Sequence, residues 1–205
     1  MQVRSLAQRC AVSTPDPLAL IRRSTARLHT AIERDTPLAR LAAHDCTVEE
    51  YRRALRLSAA IYATLDRQFV AAEHWRPRAV GAYRLRSPAL LADLHRAGES
   101  GAGLAASGRP IDSTPAYLGA RYVVDGAQFG HRVIATALAG SPAAPLAARA
   151  EFWSAAFVSR NDWRRLRVGL SGLHSRDEVA RAARSARRTF EHFYQALDDP
   201  GRGPV

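Results

Sequence analysis

The sequence predicts an all-α fold, a single helical bundle, and three observations point there. Helix-start signals of one kind recur six times along the chain. Apolar residues fall three or four apart in stripes between those starts. No stretch shows the strict alternation of a half-buried strand. The 205 residues suit one domain, and 47% apolar residues supply a core and argue against disorder throughout.

The elements follow in order. Residues 1–15 read as a ragged leader, 16–198 as the helical domain, and 199–205 as a tail. Asp16-Pro17 opens a first helix, with a capping side chain before a proline at the first helical position. Its stripe is Leu18, Ile21, Thr25, Leu28 and Ile32. Thr47 and Glu50 have capping-box spacing and open a long second helix. Val48, Tyr51, Leu55, Ala59, Tyr62, Leu65 and Phe69 line its buried side. Ser87-Pro88 opens a shorter helix to about Arg96, and the Gly- and Ser-rich stretch from Gly98 to Pro110 reads as a loop. Thr114-Pro115 opens a helix expected to run from Pro115 to Leu138. Ser141-Pro142 begins a stretch to Gly172 expected to hold one helix, broken near Asn161. Ser175 and Glu178 form a second capping box. The last stripe is Val179, Ala183, Ala186, Phe190, Phe193 and Leu197.

Charge narrows the function classes. The net charge is +11, and every one of the 30 basic residues apart from histidine is Arg. No block of five or six like charges appears, so the arginines read as solvated helix faces and no nucleic-acid partner is expected. A positive rim still suits an anionic small molecule. Cys10 and Cys46 form no C-x-x-C pair. No apolar run approaches the ~20 residues of a membrane span, and the first 15 residues lack the apolar stretch of a secretory signal. Cytoplasm is the expected compartment.

Two constellations could carry chemistry. His29 follows Thr25 by four residues and so borders the first stripe. Arg22 stands seven residues earlier on the same side, about 10 Å away along the axis. Such a pair could hold a flat anionic cofactor, the imidazole on its metal and the guanidinium on an acid group. The plain alternative is a core-edge histidine satisfied by a hydrogen bond. The second constellation is Gly119, Gly126 and Gly130 in the helix from Pro115, each costing about 1 kcal/mol against Ala. Gly126 and Gly130 share a face, which fits close approach of a ligand, a helix bend, or tight helix packing. No Glu-x-x-His, no His-Glu-x-x-His, no cysteine-rich zinc pattern and no G-x-G-x-x-G occurs.

Four segments together resemble one family. Ser24-Thr-Ala-Arg-Leu-His29 is similar to the proximal-helix motif of haem oxygenases. Tyr122-Val-Val-Asp-Gly-Ala-Gln-Phe-Gly-His-Arg-Val-Ile134 resembles their glycine-bearing distal helix. Leu91-Ala-Asp-Leu-His-Arg-Ala-Gly98 and the closing helix from Ala183 to Phe193 resemble the bacterial branch often found beside bacteriophytochromes. The resemblance spans about Leu18 to Leu197. It implies a helical domain with haem sandwiched between the first helix and a kinked distal helix. Haem would be both substrate and cofactor, opened with O₂ to biliverdin, CO and free iron. His29 would be the iron ligand, and Gly126 and Gly130 the distal glycines beside which O₂ binds. Arg22 would meet one propionate, and Arg164 or Arg167 the other, with Thr25 at the haem edge. Asp125 falls near a distal acidic residue that organises water. Electrons would come from a ferredoxin or a reductase, steered by the Arg-rich surface, and a bacteriophytochrome would be a receiver of biliverdin. A non-catalytic haem carrier of the same fold is the second reading. The sequence departs from the branch at Gly130-His131, where Gly-Gly is usual. The imidazole either crowds the distal side, binds the iron, or points away, being rotated about 100° from Gly130.

Overall fold

The computed structural model describes residues 15–100 and 109–198. Residues 1–14, 101–108 and 199–205 lie outside the described residues, and with them nearly all of the expected leader, most of the expected loop and the expected tail. Among the described residues the regular structure is helical, with no strand. Nine α-helices follow one another: α1 Pro17–Asp35, α2 Pro37–Leu41, α3 Val48–Ala71, α4 Ser87–Arg96, α5 Thr114–Gly126, α6 Gln128–Ala139, α7 Ala144–Ala147, α8 Arg160–Ser171 and α9 Arg176–Leu197.

The helix starts follow from side-chain chemistry. The Asp16 carboxylate accepts from the Leu18 amide, and both capping boxes form, Thr47 with Glu50 and Ser175 with Glu178. Two starts differ from expectation. Ser113, one residue before Thr114, caps α5, while the Thr114 hydroxyl donates to the Trp75 carbonyl. Ser87 caps nothing. Instead the Asp66 carboxylate, reaching across from α3, accepts from the amides of Arg86 and Ser87. A buried carboxylate from another helix thus takes the orphan donors of α4.

Three further differences concern extent. The helix expected from Pro115 to Leu138 is broken at Ala127 into α5 and α6. The Gln128 side chain accepts from the Val158 amide and donates to the Val158 carbonyl, tying the start of α6 to the loop before α8. The stretch from Ser141 to Gly172 holds a single turn, α7, then irregular chain, and α8 only from Arg160. There the Asp93 carboxylate accepts from the amides of Glu151 and Phe152, which holds the chain out of a helix. The short α2 after Thr36-Pro37 escaped the sequence reading; the Thr36 hydroxyl caps it by accepting from the Leu38 amide.

Packing is organised about α9, which lies along both α1 and α5. Its buried face carries Val179, Ala182, Ala183, Ala186 and Phe193. Small residues there let α5 approach closely, and the Ser185 hydroxyl donates to the Ala116 carbonyl at 2.7 Å. On the other side of the core, α3 packs on α4. The result places α1 and the α5–α6 pair on opposite sides of one opening. No helix among the described residues is long and apolar enough to cross a membrane.

Candidate haem site

A cavity of about 820 Å³ opens between α1 and the α5–α6 pair, within the size range of small-molecule sites. From α1 it is lined by Arg22, Thr25, Ala26 and His29, and from the opposite side by Gly126, Phe129, Gly130 and His131. Trp163 of α8 and Phe190 of α9 complete an aromatic wall. The Trp163 ring stacks on Tyr122 at 5.2 Å and meets Phe129 edge-on at 5.2 Å. Flat apolar walls with a few polar groups suit a flat ligand that is apolar in its middle.

The helical spacing does what the sequence suggests for α1. Ile21 and Thr25 are buried, so His29, one turn further, reaches the edge of the cavity. Its side chain is 55% exposed, and Nδ1 lies 3.1 Å from Glu33 Oε2, one turn along the same helix. In a neutral ring with its proton on Nδ1, toward that carboxylate, the Nε2 lone pair would be the one offered to a metal. The ring also packs on Phe190 at 5.6 Å. Arg22 lines the same cavity, and its Nε donates to the Tyr122 hydroxyl at 3.4 Å. The Thr25 hydroxyl is turned back to the Ile21 carbonyl, so Thr25 offers the cavity a methyl-bearing surface.

The distal side is bare at its glycines. A Cβ placed on Gly130 would meet nothing within 4 Å, and one on Gly126 would meet only Trp163 at 3.6 Å. Packing therefore does not require glycine at either position. Gly119 is different: a Cβ there would stand 2.0 Å from the Ala182 carbonyl oxygen. Tight helix packing accounts for that glycine and not for the other two.

Three candidates fall outside the lining. Asp125 is 1% exposed, and its carboxylate is held by Arg86 at 2.8 Å and by Arg121 at 3.0 and 2.8 Å. It stands behind the distal wall. Arg164 is exposed and donates to Asn161, and Arg167 is exposed one turn beyond Trp163. Neither reaches the cavity. Glu33 and Trp163 also line the cavity and are not singled out by the sequence, although Glu33 has a four-residue spacing from His29; Tyr122, Phe129 and Phe190 lie in segments the sequence marks, but not as site residues.

No protein-family model and no curated protein matches the sequence. Among solved structures, the chain is similar to the NO- and CO-bound haem oxygenase from Neisseria meningitidis. The TM-score is 0.62 at 19% identity, over 89% of this chain and 90% of that one. The chain has a haem oxygenase fold. In this haem oxygenase fold the large opening, His29 and the two unencumbered glycines come together at one place. Among the described residues no group of three His, Cys, Asp or Glu side chains could hold a metal ion.

Proposed function

We propose that this protein is a haem oxygenase that opens haem to biliverdin, CO and free iron. One observation carries the reading: a single cavity of about 820 Å³ is lined both by the His29 imidazole and by glycines that packing does not require.

Bound there, haem is the substrate and also supplies the iron that activates O₂. The residues divide the remaining work. His29 would offer Nε2 to the iron, and Glu33, 3.1 Å from Nδ1, would orient the ring and strengthen it as a donor. Arg22 gives the rim a permanent positive charge for a propionate. Phe129, Trp163 and Phe190 cover the apolar faces of the ligand and keep water from them. Gly126 and Gly130 present bare backbone to the cavity and would leave room for O₂ beside them. Asp125 acts from behind, fixing Arg86 and Arg121 under the distal wall. Arg164 and Arg167 sit on the exposed side of α8, near enough in sequence to Trp163 to contribute to the field at the mouth. Electrons come from a ferredoxin or a reductase, which a surface rich in arginine attracts if it is acidic. The product is a linear tetrapyrrole of the kind a bacteriophytochrome takes up.

The test is a titration of the purified protein with haemin, followed by ascorbate and an iron chelator. A Soret band that forms at one equivalent and gives way to biliverdin absorbance is the expected result. His29→Ala is expected to lose the normal ferrous spectrum and at least ~100-fold of biliverdin formation, since even the outer-shell partners of a metal ligand are worth about 10–100-fold. Retention of both by that variant removes His29 from the site.

A further inference from the structure

His131 stands where the resemblance leads one to expect a second glycine, and the structure buries it. It is 6% exposed, lies on α6, and borders the cavity. Its ring is clamped by Phe152 at 4.8 Å and, edge-on, by Trp153 at 5.2 Å. Phe152 and Trp153 pack on each other at 4.8 Å, so the imidazole has little freedom to swing. Nδ1 is sealed from solvent and has no hydrogen-bond partner. Leaving a buried polar atom unpaired costs about 1–3 kcal/mol. A phenyl ring would fill the same aromatic niche without that penalty, so packing alone does not account for an imidazole.

The two nitrogens are not equivalent. Nδ1 is sealed and unpartnered, Nε2 is not among such atoms, and the ring borders the cavity. The ring stays neutral, because burial and then the charge of Arg86 push its pKa down to about 3. A neutral imidazole has one N–H and one lone pair. A proton on Nδ1 would be an orphaned buried donor, and an unpaired buried donor is rarer than an under-used acceptor. The proton therefore belongs on Nε2.

We propose that His131 presents a neutral Nε2–H to the cavity and donates a hydrogen bond to the small ligand bound on the iron's open side. The inference rests on the haem reading and deepens it. His131 is a donor to bound oxygen and not a second iron ligand. To ligate iron, Nε2 would have to shed its proton onto the sealed Nδ1, the arrangement just disfavoured.

The first test needs no haem. In ¹⁵N-labelled protein, side-chain correlation spectra are expected to show His131 as the Nε2–H tautomer; an Nδ1–H tautomer overturns the proposal. The second test uses the ferrous protein loaded with haem. His131→Phe keeps a flat ring against Phe152 and Trp153 and is expected to release O₂ about tenfold faster, with a raised C–O stretch in the CO complex. His131→Gln retains an N–H and is expected to stay within about threefold of the parent. A parent spectrum of bis-imidazole, low-spin haem that vanishes in His131→Phe would make His131 a ligand and overturn the proposal. So would a His131→Phe protein that matches its parent in both readouts. Failure of the parent to take up haem at all would instead overturn the function on which the proposal stands, whatever the tautomer.

Discussion

The α5–α6 pair carries glycines on two sides, and they serve opposite ends. Toward α9, Gly119 touches the Ala182 backbone so closely that no other residue fits. Toward the cavity, Gly126 and Gly130 have room for a side chain and carry none. Each helical glycine forgoes about 1 kcal/mol relative to Ala. At Gly119 the contact between α5 and α9 offsets that loss. At the other two, no contact among the described residues does. A glycine that packing does not require is a better pointer to a ligand than one that it does. The same contrast divides the charged groups. His29 and Arg22 face the opening, whereas Asp125 is spent on two buried arginines behind it.

The largest effect is expected from Asp125. Asp125→Asn leaves Arg86 and Arg121, 2% and 3% exposed, without a counter-charge. Breaking a buried ion pair from one side costs about 3–5 kcal/mol, which for a chain of this size lowers Tm by roughly 10 °C. Thermal denaturation followed by circular dichroism measures it. An unchanged Tm would mean that Asp125 is not the anchor of that wall. Next comes Gly119→Ala, where the added methyl must push α9 away. About 2–3 kcal/mol and roughly 5–10 °C are expected, in the same assay. A neutral result would erase the distinction between the two sides of the pair.

Much of this arrangement was legible in the sequence, and what was not has identifiable causes. Capping boxes and stripes are local, and both boxes and the faces of α1, α3 and α9 appear where their residues indicate. His29 and Arg22 reach one cavity because a helical repeat places them there. What the sequence hid is held by distant partners. The break at Ala127 falls at a strong helix former, and Gln128 enforces it by bonding to Val158, thirty residues on. The start of α4 is set by Asp66, twenty residues before it. Among the three orientations open to His131 in the sequence, local rules cannot choose; Phe152 and Trp153, about twenty residues on, enclose its ring. Local rules read periodicity and caps, but not which distant carboxylate or ring completes them.

The smallest change in stability is expected from Gly130→Ala, and its sign is opposite to that at Gly119. The position is helical, has no positive φ, and offers a Cβ open space. Alanine should therefore stabilise the protein by about 0.5–1 kcal/mol, raising Tm by roughly 2 °C. The same methyl protrudes into the space assigned to oxygen, so biliverdin formation is expected to fall about tenfold or to shift toward another isomer. Gly126→Ala is the internal check, since its methyl would first meet Trp163 at an ordinary contact distance. Its gain in Tm should be similar and its loss of turnover smaller. A Gly130→Ala protein both more stable and fully active would show that the bare distal surface is incidental. One more stable and impaired would show that the stability forgone at Gly130 serves the reaction.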